Sequence, residues 1–205
     1  MKKALITGIA GSGASYLADF LLTQGLEVHG IARWHSTTNN SNLKKIINKI
    51  SVHECDLLDL SSVIRTLRKV KPDYIFHLAS HANVRSCFDN PIAVMNNNVN
   101  CTINLFEAIR LENLDPIIQL CGTSEVYGQV KAEDLPITEE NKIDPVNIYA
   151  ISKLAQEKIA KSYYLAYGMK VVITRMFAYI NPRRRDIFSS AFAKKVTDVE
   201  KGKIR

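Results

Sequence analysis

A run of glycines set between an apolar strand and a helix limits this chain more than any other stretch of it. Residues 3 to 33 read as strand, glycine turn, helix and strand: Ala4 to Thr7, then GIAGSGA, then Tyr16 to Gln24, then Glu27 to Ala32. Gly8, Gly11 and Gly13, with Ser12 among them, let the backbone turn tightly and come close to a pyrophosphate, whose charge would rest at the N-terminus of the following helix. The spacing is Gly-x-x-Gly-x-Gly-Ala rather than Gly-x-Gly-x-x-Gly, with Ala14 where a third close-packing glycine could stand. A plain glycine-rich turn is the alternative, but the flanking strand and helix are what a dinucleotide turn requires.

The second strand of this unit ends at Arg33, about twenty residues past the turn, where an acidic residue would accept the ribose 2'-hydroxyl of NAD and an arginine suits the 2'-phosphate of NADP. NADP is therefore expected, with NAD as the other possibility and a solvated arginine as the plain reading. Trp34 to Asn42 is a polar Ser, Thr and Asn loop that could add hydrogen bonds to that phosphate.

A second βαβ repeat follows. Ser51 to Glu54 reads as a short strand ended by Asp56 and Leu57, Ser61 to Lys71 as an amphipathic helix capped by Ser61 or Ser62, and Pro72 as its stop before the strand Tyr74 to Leu78. Ligands lie beyond the carboxyl ends of strands in an open parallel sheet, so Asp56, Leu57 and the segment HLAS (Leu78, Ala79 and Ser80 after His77) are placed to meet adenine and pyrophosphate. His77 and His81 are read as structural. Residues 82 to 90 read as a polar loop, and Pro91 opens a helix reaching about Asn113, with Val94, Asn98, Cys101, Leu105 and Ala108 on one face. The strand Ile117 to Cys121 leads into GTSEVYG, which puts the hydroxyl of Thr123 and the carboxylate of Glu125 at a strand end.

Next comes the helix that begins NIYAISKLAQE and runs to about Tyr167, closed by Gly168. Residues at i and i+4 share a helix face, so Tyr149 and Lys153 project into one pocket. A phenol is a poor base at neutral pH, but a nearby ammonium favours the phenolate and lowers its pKa. Tyr149 then becomes a proton acceptor for a sugar or alcohol hydroxyl, although Tyr-x-x-x-Lys by itself is common in helices. Lys170 to Thr174 is a further strand, RMFAYINPRRR its following loop, and Phe188 to Glu200 a last amphipathic helix. Strands alternating with helices throughout predict an α/β doubly wound parallel sheet of Rossmann type.

Composition closes off other classes. At 205 residues, 46% hydrophobic and 23% charged, the chain suits one globular core. The net charge of +7 favours anionic ligands. Only Arg183, Arg184 and Arg185 cluster, so no nucleic-acid partner is expected. Cys55, Cys87, Cys101 and Cys121 lack metal-like spacing and read as reduced thiols of a cytoplasmic protein, with no metal site. The N-terminal apolar run breaks at Gly8, and no segment approaches about 18 apolar residues, so neither export nor membrane spanning is expected.

Taken together, GIAGSGA, the HLAS strand end, CGTSEVYG, YAISK and RMFAYINPRR resemble the extended short-chain dehydrogenase/reductase family. Within it ALITGIAGSGASYLADFLL, EVHGIAR, TSEVYG, YAISKLAQEK and NPRR are most similar to the GDP-mannose 4,6-dehydratases; the GDP-4-keto-6-deoxymannose reductases share many of these segments. The resemblance implies a lyase using NADP. Tyr149, aided by Lys153, takes the C4 hydroxyl proton of a nucleotide sugar, Thr123 bonds the C4 oxygen, and Glu125 removes the C5 proton and helps expel the C6 hydroxyl as water. It also implies pairing through the helices at 91 to 113 and 147 to 167, as a homodimer or tetramer.

Three positions depart from the family pattern. Ala14 replaces a glycine, His81-Ala82-Asn83 stands where Gln-Ser-His is usual, and Phe177-Ala178-Tyr179-Ile180 stands for Phe-Asn-His-Glu, so the sugar could be GDP-mannose, a GDP-heptose or another nucleotide hexose. Family members run beyond 300 residues. The expectation is an NAD(P)-binding domain over 1–180 and the start of a truncated substrate lobe over 181–205. A reductase or epimerase on the same scaffold, or a catalytically silent NADP-binding module, are the alternatives.

Overall fold

A computed structural model of the chain describes residues 1–33, 41–184 and 188–203. Six strands, β1 (Lys3–Thr7), β2 (Glu27–Ala32), β3 (Ser51–Glu54), β4 (Tyr74–His77), β5 (Ile117–Thr123) and β6 (Lys170–Met176), form one sheet in the order β3-β2-β1-β4-β5-β6. Every neighbouring pair is parallel. The winding direction reverses beside β1, whose neighbours are β2 and β4, and a crevice opens there at the carboxyl ends of the strands.

The connecting helices are α1 (Ser12–Thr23), α2 (Leu60–Val70), α3 (Ser86–Asp89), α4 (Pro91–Leu111) and α5 (Ile148–Tyr167), with α6 (Phe188–Glu200) after β6. Side chains alternate across the pleat, so β1 splits its apolar residues between two cores. Leu5 joins Ile31, Ile75, Ile118 and Leu120 beneath α2, α4 and α5. Ala4 and Ile6 join Val28 beneath α1. Being covered on both faces is why β1 reads as an unbroken apolar run.

Local chemistry accounts for the helix ends. In α2 the cap is Asp59, whose side chain accepts from the Ser61 N–H; it is neither Ser61 nor Ser62, because the helix starts one residue earlier than its serines suggest. Lys71 ends α2 in the left-handed conformation, with Pro72 directly after it. Gly168 closes α5 at φ +67°, as its position predicts. α1 begins at Ser12, not at Tyr16, so Ser12 and Gly13 belong to its first turn. β5 and β6 run longer than their apolar stretches indicate, because they pair with each other as far as Thr123 and Met176. The loop at 82 to 90 contains the one-turn α3.

The sheet is covered unevenly. On the α2, α4 and α5 side, Val94, Asn98, Cys101, Leu105 and Ala108 of α4 are all buried. On the α1 side, an apolar cavity of about 630 Å³ lies against Phe76, Gln119, Cys121, Thr174 and Met176 of β4 to β6. Tyr179 to Pro182 roof it from the loop after β6, and Gly13, Tyr16 and Leu17 wall it from α1. That loop is tied to α1 by Arg183, which stacks on Tyr16 at 3.9 Å and pairs with Asp19. Of the expected polar loop, residues 34 to 40 lie outside the described residues, as does Arg185; Asn42 donates to the Ala10 carbonyl in the glycine turn at 3.0 Å. Among the described residues no helix is long and apolar enough to cross a membrane, and no cluster of His, Cys, Asp and Glu could hold a metal ion.

Candidate active site

The glycine turn is shaped by close approach. Gly8 has φ +68°, and a Cβ there would lie 3.0 Å from the Ala79 Cα, so the ends of β1 and β4 nearly touch. A buried polar ladder holds them so. Ala79 N–H donates to Thr7 Oγ1 (3.0 Å), Thr7 Oγ1 meets His77 Nδ1 (2.9 Å), and His77 Nε2 meets Thr102 Oγ1 on α4 (3.1 Å). Thr102 donates its own proton to the Asn98 carbonyl, so it accepts from His77 Nε2–H, and Nδ1 accepts from Thr7. Burial holds the neutral imidazole, its pKa down to about 3, with the nearby Lys153 charge acting the same way. His77 is thus structural, as its sequence context suggests.

At α1 the N-cap is Gly11, with no side-chain cap bond. The first N–H groups of α1 therefore lack a side-chain partner there, an arrangement suited to an anion. Gly8, Arg33, Asp56, Leu57, Ala79 and Ser80 line one cavity of about 150 Å³, together with Cys55, His81, Asn97 and Cys101. The Ser80 hydroxyl is buried without a hydrogen-bond partner. Gly13 and Leu78 instead line the larger apolar cavity. A Cβ on Gly13 would meet the Tyr179 hydroxyl at 2.8 Å, so the loop after β6 reaches the glycine turn. A close-approach glycine, an orphan hydroxyl and an arginine around one crevice fit a phosphorylated dinucleotide, and the uncapped helix start follows the same turn, although Gly11 and Ser12 line neither cavity.

The other group lies at the end of β5 and the start of α5. Thr123 Oγ1 accepts from the Glu125 N–H at 3.3 Å and starts the 3-10 turn Ser124–Tyr127. Tyr149 is 8% exposed, with Thr123 near enough to favour its phenolate. Lys153, one turn on, is 3% exposed. The four residues Thr123, Glu125, Tyr149 and Lys153 thus gather at two adjoining element ends.

The charge balance differs from the expected one. Burial, not Lys153, dominates at the phenol, whose pKa goes up to about 12 even though the neighbouring Thr123 hydroxyl pulls it down. Burial also brings the Lys153 ammonium down to about 8. The nearest carboxylate along the helix, Glu157, is engaged elsewhere: it forms a forked pair with Arg175 at 2.8 to 3.3 Å, and Arg175 also donates to the Tyr127 hydroxyl at 2.9 Å. Gly122 makes room for that pair, since a Cβ there would lie 2.9 Å from Glu157 Oε1.

Sequence reasoning overlooked the polar packing that joins these groups. Asn98 Nδ2 donates to Ser152 Oγ at 2.9 Å, and Ser152 donates to the Tyr149 carbonyl at 2.7 Å, fastening α5 to α4. Asn147 caps α5 through the Ala150 N–H at 2.8 Å and donates to Glu125 Oε2 at 2.7 Å. The capping preference of asparagine before an apolar helical run would have flagged the first of these contacts, but nothing in the sequence flags the second.

Known proteins share this fold and sequence. A family described as GDP-mannose 4,6 dehydratase matches residues 5–205. The GDP-mannose 4,6-dehydratase of Yersinia enterocolitica is 35% identical over 197 residues, covering 92% of this chain and 52% of that protein. GDP-mannose 4,6 dehydratase 1 of Arabidopsis thaliana is 34% identical, covering 91% and 54%. The chain thus spans about half the length of the relatives it matches. Among solved structures, a Thermus thermophilus UDP-glucose 4-epimerase complex with NAD superposes with a TM-score of 0.85 at 28% identity, covering 98% of this chain and 63% of that one. RMD from Pseudomonas aeruginosa, complexed with NADPH, gives 0.82 at 25% identity, covering 100% and 64%. With its parallel six-stranded sheet, its glycine turn and this breadth of match, the chain belongs to the GDP-mannose 4,6-dehydratase family, within the extended short-chain dehydrogenase/reductase fold.

Proposed function

We propose that this protein carries the chemistry of a nucleotide-sugar 4,6-dehydratase, acting on GDP-mannose or a related GDP-sugar with NADP. The observation that supports this most is the meeting of Thr123, Glu125 and Tyr149 where β5 ends and α5 begins, with Lys153 one turn further along. Gly8, Gly11, Ser12, Gly13, Arg33, Asp56, Leu57, Leu78, Ala79 and Ser80 would hold the dinucleotide, Arg33 facing the 2'-phosphate. NADP, when bound, supplies a two-electron oxidation at sugar C4, returns the electron pair at C6, and brings a positive charge that favours the phenolate.

Tyr149 takes the proton of the C4 hydroxyl, and the Lys153 ammonium stabilises the phenolate that does so. Thr123 donates to the C4 oxygen while one of its two lone pairs accepts from the Glu125 N–H. The C4 ketone acidifies C5. Glu125 removes the C5 proton and passes it to the C6 hydroxyl, which leaves as water. C5 regains a proton equivalent to the one Tyr149 accepted, so Tyr149, Glu125 and the cofactor all end as they began.

Residues 1–180 are read as the cofactor domain and 181–205 as the start of a substrate lobe, in a cytoplasmic protein that pairs as a homodimer or tetramer through α4 and α5. The test is incubation with NADP and a panel of GDP-sugars, followed by mass spectrometry. A 4-keto-6-deoxy product, lost in Glu125→Gln while NADP binding persists, is expected. A product that keeps its C6 oxygen would move the assignment to a reductase or epimerase. No product, with NADP still raising the melting temperature, would favour a binding module.

A further inference from the structure

The side chain of Asn147 uses both ends of its amide. Oδ1 accepts from the Ala150 N–H at 2.8 Å, capping α5, and Nδ2 donates to Glu125 Oε2 at 2.7 Å. The two contacts fix the amide's orientation, since a backbone N–H can only donate and a carboxylate can only accept. We propose that Asn147 is a positioning residue for the elimination step, registering the Glu125 carboxylate against the helix that presents Tyr149 and Lys153. This rests on the dehydratase reading above and deepens it.

Glu125 is held at two points. Thr123 Oγ1 accepts from its backbone N–H, and Asn147 holds one carboxylate oxygen, which leaves Oε1 to act on the substrate. The cap of α5 lies two residues before Tyr149 and six before Lys153. One amide therefore sets the distance between the group that takes the C4 proton and the group that takes the C5 proton. Other capping residues cannot do this. Serine and threonine keep a capping oxygen but are too short to reach the carboxylate as well, and aspartate would set a second anion against it.

Hydrogen bonds to charged groups are worth enough that loss of this one should slow proton removal at C5 about ten- to a hundredfold. Hydride transfer at C4 does not involve Glu125 and should change less than about twofold by the same reasoning.

The experiment compares the full chain with Asn147→Ser and Asn147→Asp. NADP reduction on mixing with GDP-mannose is followed by absorbance, and deuterium uptake at C5 from heavy water by mass spectrometry across pH. Asn147→Ser should keep its melting temperature within about one or two degrees, since serine caps nearly as well as asparagine. It should reduce NADP at close to the normal rate and slow C5 exchange. In Asn147→Asp the acid limb of the exchange profile should move to higher pH. A further readout needs no substrate: in the ¹⁵N-labelled protein the Asn147 side-chain protons should move when Glu125 is replaced by alanine. Wild-type exchange in Asn147→Ser, or an Asn147 amide indifferent to Glu125→Ala, would overturn the positioning role alone. Absence of both NADP reduction and C5 exchange in the wild type would overturn the dehydratase reading itself.

Discussion

Lys153 is a buried cation whose own helix neighbour, Glu157, is paired with Arg175, and replacing it should stabilise the fold. The side chain is 3% exposed and its pKa falls from 10.5 to about 8 because burial disfavours the ammonium. That difference corresponds to about 3 kcal/mol of stability withheld at neutral pH. Lys153→Met keeps the length and apolar stem without the charge, so it should gain up to about 3 kcal/mol at pH 7, a rise in melting temperature of about 6 to 10 °C for a chain of this size. The sign can be checked by titration. Between pH 8 and 10.5 the unfolded chain binds more protons than the folded one, so wild-type stability rises with pH through that window. The advantage of Lys153→Met should therefore shrink from pH 8 and vanish above about 10.5. Urea denaturation of both proteins at a series of pH values measures it. A variant less stable than wild type at pH 7, or an advantage unchanged between pH 8 and 11, would refute the claim that burial dominates at this residue.

Acid should destabilise the protein through His77, whose neutral ring is locked between Thr7 and Thr102 with a pKa of about 3. The stability held by the neutral ring is present above pH 6.5 and declines as pH falls towards 3, and His77→Gln should flatten that part of a denaturation-versus-pH curve by several kcal/mol, about 1.4 per pH unit. Gly128 sits at φ +65°, with the Asp144 carbonyl oxygen 1.9 Å from where a Cβ would stand, so Gly128→Ala should cost about 3 kcal/mol or more in urea denaturation. An unchanged midpoint would contradict the geometry. Arg33→Glu should weaken NADP binding about thirtyfold or more and improve NAD, read as opposite changes in the melting shift produced by each cofactor. Equal shifts with both would show that residue 33 does not read the 2'-phosphate.

Much of the fold was legible because its signals are local. Pro91 at the start of α4, Gly168 at the end of α5 and the bounds of β2, β3 and α6 follow from turn chemistry and apolar periodicity, and alternating strands and helices give the α/β class. Misses occurred where a long-range contact overrides local preference. Gly122 and Thr123 join β5 only because Arg175 and Met176 run alongside, and the cap of α2 is Asp59 because the helix takes in Leu60. For the candidate site, the residue types at strand ends were readable, but the electrostatic sign at Tyr149 was not. Sequence places Lys153 one turn away and suggests a lowered phenol pKa; burial beside Cys87 and Val94 raises it.

By itself the sequence determined that this chain forms successive βαβ units with a glycine turn between the first strand and helix, because backbone sterics and side-chain period act within a few residues. Only the tertiary structure decided that β4 lies beside β1, that Glu125 and Asn147 meet across 2.7 Å, and that Lys153 is desolvated. Pairing and burial depend on residues far apart in the chain. Their energies are set by which groups are removed from water together, which no local pattern records.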